Sequence, residues 1–318
     1  MSRDHWVSAA EWGVIAALVA LDAAFAHATG IGVEGTAKHA QLLGILILMW
    51  PVIALGTRLT GFAKGAGFLA ELPAKFFGYI AVASVLEYYL ATSPAPLGDG
   101  WLIAADRAIG VDWPALCGWS EAHPAARAVL EFAYFGLLME CGVVVVVTGL
   151  FYPRRARRFT TALILSSLFT IPLLWVFPVA GPYTFAADLG VPQSCFAFAQ
   201  SWTEHYLGMR GHALAAIPLD DIRGIVDFPS YHAACAVLLA YFLRGIPAIT
   251  PVAVIFNLLM ILATPVTGGH YVVDVLAGLV VAAATIWAIE RIEAGRSAER
   301  LPLWRPRARH AALPPKTT

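Results

Sequence analysis

Two histidines stand at the mouths of two apolar runs. In "GIVDFPSYHAACAVLLAYFLR", residues 224–244, Pro229, Ser230 and His232 immediately precede hydrophobic sequence. In "ATPVTGGHYVVDVLAG", residues 263–278, Gly268 and Gly269 precede His270, and Asp274 follows four residues later. On a helix, positions i and i+4 share a face, so Asp274 is placed to accept a proton from one imidazole nitrogen of His270. The other nitrogen then carries an outward lone pair and is a nucleophile or a ligand. The two glycines let the backbone approach a bound group closely, and the amides of a helix start present a positive end that suits phosphate. Pro229 fits a first-turn position where no N–H is needed, and Ser230 or Asp227 is suited to cap the amides there or to meet a bound anion. Positive helix ends also disfavour imidazolium, which leaves a nucleophilic nitrogen unprotonated near neutral pH. The residue types therefore support nucleophilic catalysis on a phosphate group.

The elements that must hold these histidines are membrane spans. Of 318 residues, 59% are hydrophobic and only 13% are charged, against roughly 25% charged in soluble domains. Apolar runs near the roughly 20 residues that cross hydrocarbon lie at 12–31, 40–57, 74–92, 126–151, 159–181, 229–244, 248–266 and 270–290. This predicts an all-α, polytopic integral membrane bundle of about eight spans. Arg3 followed by apolar sequence could imitate a secretory signal, but Asp4 and Glu11 and the length of the run argue for an uncleaved first helix. With the N-terminus inside, most of the 21 lysines and arginines, including "RRARR" at 154–158, fall on the cytoplasmic side. Both termini are then cytoplasmic in a multi-pass cell (inner) membrane protein, and the starts of the two histidine helices share the extracytoplasmic face. Residues 1–290 read as one membrane domain, with a catalytic core over about 126–290. Residues 291–318 read as a basic, disordered tail positioned to touch anionic headgroups.

Two long segments lie outside the spans on the site's side of the membrane. The first, Pro96 to Pro124, carries Trp101, Trp113 and Trp119, as expected of a segment lying in the interface. The second runs from Pro182 to Phe228 and is rich in His, Arg and Asp. The four cysteines form no C-x-x-C pair, so no zinc knuckle is suggested, and a Cys117–Cys195 disulfide is possible. A net charge of zero gives no argument for nucleic acid.

"PSYH" followed by "GGHYVVDVLAG" resembles the second and third motifs of the type 2 phosphatidic acid phosphatase (PAP2) superfamily. "DRAIGVDWPAL", "FPVAGPY" and "MRGHAL" are similar to its inositolphosphotransferase branch, which includes inositol phosphorylceramide synthases. The resemblance implies a lipid phosphotransferase or phosphatase in which His270 attacks phosphorus to form a phosphohistidine, Asp274 orients it and His232 protonates the leaving oxygen. It further implies that Ser230 binds phosphate, with no metal and no cofactor. Membrane lipids are the implied partners: a phospholipid donor, and a lipid or polyol acceptor in the case of transfer.

The sequence departs from the superfamily pattern in its cations. No K-x-x-x-x-x-x-R-P is found, since the sole Arg-Pro is Arg305-Pro306 with Ala298 in the lysine's place, and the usual Ser-Arg before the second histidine is Ala263 and Thr264. Phosphoryl transfer needs positive charge at the reacting group, so Arg210 and then Arg223 are the expected substitutes, with Arg223 equally able to pair with Asp220, Asp221 or Asp227. Gly269 and Tyr183 complete the expected substrate contacts. Simple hydrolysis of a lipid phosphate (phosphatidate, isoprenyl pyrophosphate or phosphatidylglycerophosphate type) is the nearest alternative, and a transporter is the alternative of another class.

Each assignment has a duller competitor. A lone helix-start histidine is usually structural, and Tyr183 has the composition of an ordinary interfacial aromatic. His205 and His212 read as loop residues. The intramembrane acids Asp22, Glu71, Glu87, Glu131 and Glu140 must face protein or a wet cavity; Glu87, near the outer end of its span, is the best placed of them to recognise an acceptor.

Overall fold

The computed structural model describes residues 3–35 and 62–298. The described residues are mostly helical, with one short two-stranded sheet among them. Helices occupy the positions of seven of the eight expected spans: α1 (Arg3–Thr29), α2 (Phe62–Leu90), the pair α5 (Pro124–Phe135) and α6 (Leu137–Phe151), α7 (Pro153–Val176), α9 (Tyr231–Leu243), α10 (Ile249–Ala263) and α11 (Val272–Ala298). The expected span at 40–57 lies outside the described residues. By length and apolarity, three described helices can cross a membrane alone: Trp6–Thr29, Pro153–Val176 and Val272–Ile292. The α5–α6 pair, bent by 50°, makes a fourth if it is one span. The bend falls at Gly136, where a Cβ would lie 2.5 Å from the Phe256 ring of α10; the close approach of that ring is what the glycine permits. Eight residues of the expected tail belong instead to α11, which continues to Ala298.

Helix α9 is the hub. It is apolar all round, and Ala233, Ala234, Cys235, Ala236, Leu238, Leu239 and Phe242 are buried, as expected of a helix enclosed by others. Small residues let backbones approach where lipid leaves only packing to drive association. At the crossing with α11, a Cβ on Gly278 would run into the Ser230 carbonyl and come 3.0 Å from Ala233 Cβ. The outer face of α10, with Val252, Ile255, Leu258 and Leu262 exposed, recurs at helical spacing as a hydrocarbon-facing stripe should.

Lys75 is buried among the helices: it is 3% exposed and lies 2.7 Å from both Glu11 of α1 and Glu71 of its own helix. Thr161 of α7 donates to the second oxygen of Glu11 at 2.6 Å. A charge placed among helices needs partners of this kind. Glu140 is likewise met across helices, by Asn257 at 2.7 Å, whereas Glu131 pairs with Arg127 on its own helix.

Above α9 and α11 sits a layer of short elements: α3 (Asp99–Ala108), α4 (Trp113–Ala122), the 3-10 turn Gln193–Phe196 and α8 (Gln200–Arg210). Asp112 caps α4 by accepting from Ala115 N at 2.9 Å. The Cys117–Cys195 disulfide joins α4 to the 3-10 turn with Cα atoms 5.6 Å apart. Helix α3 is two-faced: Asp99, Leu102, Ile103 and Asp106 point inward while Trp101 is 77% exposed. The strands β1 (Gly32–Glu34) and β2 (Ala216–Pro218) pair in parallel and tie the end of α1 to the long loop.

Candidate active site

His270 lies in the turn just before α11, on a segment whose shape depends on its glycines. Gly269 has φ +65°, and a Cβ there would collide with Ala199; a Cβ on Gly268 would lie 2.7 Å from the Tyr134 ring. The glycines were expected to open the backbone to a bound group. The structure instead fills both close approaches with protein, so Gly269 shapes the turn against Ala199.

The tautomer of His270 is set by a main-chain group. Its Nδ1 lies 2.8 Å from the Asp227 carbonyl oxygen, which can only accept, so Nδ1 carries the proton and Nε2 the lone pair. The expectation that Asp274 accepts this proton is corrected: its Oδ2 is 3.8 Å from Nδ1 and accepts instead from Tyr271 N at 2.9 Å. The reason is local. His270 precedes the helix, so the i, i+4 relation does not stack the two side chains, and Asp274 turns back to cap the helix start. His270 is 3% exposed, and this burial pushes its pKa below the ordinary imidazole value, with Asp227 working in the opposite direction. Burial in turn pushes the Asp227 carboxyl well above the usual carboxylate range, against the pull of His270.

His232 occupies the first turn of α9, where Ser230 is the N-cap and its Oγ accepts from Ala233 N at 3.4 Å. Its ring stacks on Tyr134 of α5 with centroids 4.1 Å apart and planes at 12°, and the Tyr134 hydroxyl is 3.4 Å from Nδ1. Tyr134 thus touches His232 on one side and the glycine turn of His270 on the other. The two imidazoles are close enough to interact electrostatically. Ser230 N donates to the Asp274 carbonyl at 3.0 Å, which ties the two motifs together through main chain.

The amides at the start of α11 do not wait for a phosphate. Val272 N and Val273 N donate to the two oxygens of Asp106 at 3.1 and 2.9 Å, and Trp113 Nε1 donates to the same carboxylate at 3.1 Å. Asp99, one face of α3 along, accepts from Tyr271 Oη at 3.0 Å and from Ala180 N and Gly181 N at 3.0 and 2.9 Å. Gly181, at φ +82°, leaves room for the Asp227 carboxyl, which a Cβ would approach to 2.7 Å. The "FPVAGPY" segment is therefore clamped by Asp99 against the residue that orients His270.

The expected cations are spent elsewhere. Arg210 was expected on phosphate; its guanidinium donates to the carbonyls of Ser93 at 2.7 Å and Ala95 at 2.5 Å, fastening α8 to the end of α2. Arg223 pairs with Asp221, the ion-pair alternative that its sequence surroundings offered. Tyr183 is half-buried in the apolar cluster that includes Tyr271 and Phe196, and its carbonyl accepts from Gln193. Glu87 accepts from the Ile225 amide, two residues before Asp227. His205 is held between Tyr88 Oη at 2.6 Å and Asp221 at 3.5 Å, and His212 is an exposed loop residue. What gathers at the two histidines is carboxyl, phenol and a fixed carbonyl. Among the described residues, no group of three or more His, Cys, Asp or Glu side chains is arranged to hold a metal ion.

Tyr134, Asp99 and the Asp227 carbonyl were not legible in the motifs. Tyr134 is an aromatic in an apolar run, and a main-chain acceptor has no sequence signature at all. A family model described as the PAP2 superfamily matches residues 100–288, more than half of the chain. No curated protein and no solved structure matches it.

Proposed function

The chain belongs to the PAP2 superfamily, and from that premise we propose that it is a membrane-embedded phosphatase or phosphotransferase working on a phosphorylated lipid headgroup through a phosphohistidine at His270. The observation that carries the reading is the 2.8 Å bond from His270 Nδ1 to the Asp227 carbonyl, because it leaves Nε2 with its lone pair. In the first step Nε2 attacks phosphorus, the bond from phosphorus to the leaving oxygen breaks, and His232, entering as the imidazolium that the bound phosphate anion favours, delivers its proton to that oxygen and is left neutral. In the second, His232 takes the proton of an acceptor hydroxyl, whose oxygen attacks phosphorus as the P–N bond breaks. Ser230 and the first turn of α9 are the proposed anion contacts.

Transfer to an alcohol, in the manner of an inositol phosphorylceramide synthase, is the preferred form. With Arg210 and Arg223 engaged elsewhere and carboxyls clustered at the histidines, a monoanionic phosphodiester fits better than a dianionic phosphomonoester. Hydrolysis of a lipid phosphate is the second reading, favoured by the family description alone. The full span count of eight, the extracytoplasmic position of the site and the inner-membrane location belong to the same proposal.

The test uses the full-length protein in proteoliposomes with phosphate-labelled phosphodiester and phosphomonoester lipids, with and without a lipid alcohol acceptor. Acceptor-dependent loss of the diester, falling by on the order of 1,000-fold or more in His270→Ala and His232→Ala, is the expected result. Turnover persisting in both variants would sink the nucleophile assignment. Release of free phosphate from the monoester, independent of acceptor, would favour hydrolysis.

A further inference from the structure

Helix α3 lies outside the sequence that carries the two histidines, yet two of its side chains grip the residues immediately after the nucleophile. Asp99 and Asp106 are seven residues apart, about two helical turns, and so share a face. Both are fully buried. Three consecutive residues following His270 are bound by them: Tyr271 through its hydroxyl, and Val272 and Val273 through their amides. The Asp106 carboxylate accepts from Trp113 Nε1 and from the Val272 and Val273 amides, all N–H donors, which calls for an acceptor-only, ionised carboxylate. Asp99 also holds the Ala180–Gly181 amides, so the same side chain spans the segment that packs on Asp227 and the segment that carries His270.

We propose that Asp99 and Asp106 are positioning residues that clasp the His270 segment from α3 and hold Nε2 in line for attack. The inference rests on His270 being the nucleophile. Positioning errors of about 1 Å cost on the order of 100-fold in rate, and a turn built on two glycines has little rigidity of its own. The clasp replaces that missing rigidity with charge-assisted bonds. A second effect follows from burial. The groups facing His270 are Asp227 from the preceding loop, Asp274 from α11, His232 from α9 and, across the glycine turn, Tyr134 from α5. Loosening the clasp admits water to this dry cluster, weakens the desolvation that keeps the imidazole neutral, and moves the acid limb of kcat/KM toward higher pH.

Two variants of the full-length protein in proteoliposomes test this against the active lipid substrate. Asp106→Asn turns an amide N–H toward donors, and Tyr271→Phe deletes only the hydroxyl bond to Asp99. Both are expected to lower kcat, Asp106→Asn by on the order of 100-fold and Tyr271→Phe less, with KM near wild type and the acid limb shifted upward. Wild-type kcat, or a loss uniform across pH with an unmoved limb, would overturn the clasp, the second outcome marking a purely structural role. If Asp106→Asn does not fold, Tyr271→Phe decides alone. His270→Ala separates the two claims: activity surviving in it overturns the nucleophile reading, whereas an inactive His270→Ala beside unaffected Asp106→Asn and Tyr271→Phe overturns only the clasp.

Discussion

At His270 the decisive partner is a carbonyl oxygen. A carbonyl accepts and never titrates in the working range, so the tautomer it enforces holds over a broad span of pH, unlike one enforced by a carboxylate. Burial lowers the His270 pKa, and the sign of the consequence follows directly. In the proposed mechanism the neutral ring is the active form, so lowering its pKa carries activity into more acidic solution. The acid limb of kcat/KM is expected below the ordinary imidazole value of about 6.5. A pH–rate profile checks this, and a limb at or above that value would contradict the buried, neutral nucleophile. The order and spacing of His232, His270 and Asp274 were plain in the sequence, since residue type and helix-start position are local properties. Which atom accepts the Nδ1 proton was not, because residue 227 reaches residue 270 only in the folded chain.

At the level of elements, the glycine turn and the short helices above it do the positioning. Gly269→Ala meets two obstacles, a φ of +65° and a collision with Ala199. The first costs about 1–2 kcal/mol in any context, while the second depends on the neighbour. The single variant is expected to lose most of its activity, and adding Ala199→Gly should recover part of it by removing the collision while leaving the dihedral strain. A double-mutant cycle on activity and thermal stability reads this out; full recovery or none would show that one obstacle acts alone. Helix positions were largely visible as apolar runs, because enclosure by hydrocarbon or by other helices demands them. The break at Gly136 and the caps on α11 were hidden. Both arise from contacts with α10 and α3, more than 100 residues distant in sequence.

For the whole molecule, the arrangement of charge predicts which face meets which compartment. Glu204 on α8 and Arg154 at the start of α7 are both exposed and lie toward opposite membrane faces in the proposed topology. The native cysteines make a quiet background, since Cys117 and Cys195 are paired and Cys141 and Cys235 are buried. Glu204→Cys is expected to react with an impermeant thiol reagent in intact cells, and Arg154→Cys only after permeabilisation. The reverse pattern would invert the topology and place the site on the cytoplasmic face. The proposed orientation rests on a count of lysines and arginines, one of which, Lys75, is buried in an ion-pair cluster. A topological tally depends little on any one residue because it sums many, whereas a site assignment such as Arg210 stands or falls on one.

The main-chain bonds between the two motifs bear on how such an enzyme can diverge. Residues 227–230 and 270–274 are joined twice without recourse to any side chain's identity except the imidazole: His270 Nδ1 to the Asp227 carbonyl, and the Ser230 amide to the Asp274 carbonyl. The separation of the two histidines is thereby less sensitive to substitutions that leave the Asp99–Asp106 clasp and the Gly269–Ala199 contact in place. Helix α6 and the outward faces of α3 to α5, away from Asp99, Asp106, Trp113 and Tyr134, are free to drift toward new substrates while the reacting pair stays in register. Inheritance can then vary the clientele of the enzyme and leave its chemistry alone.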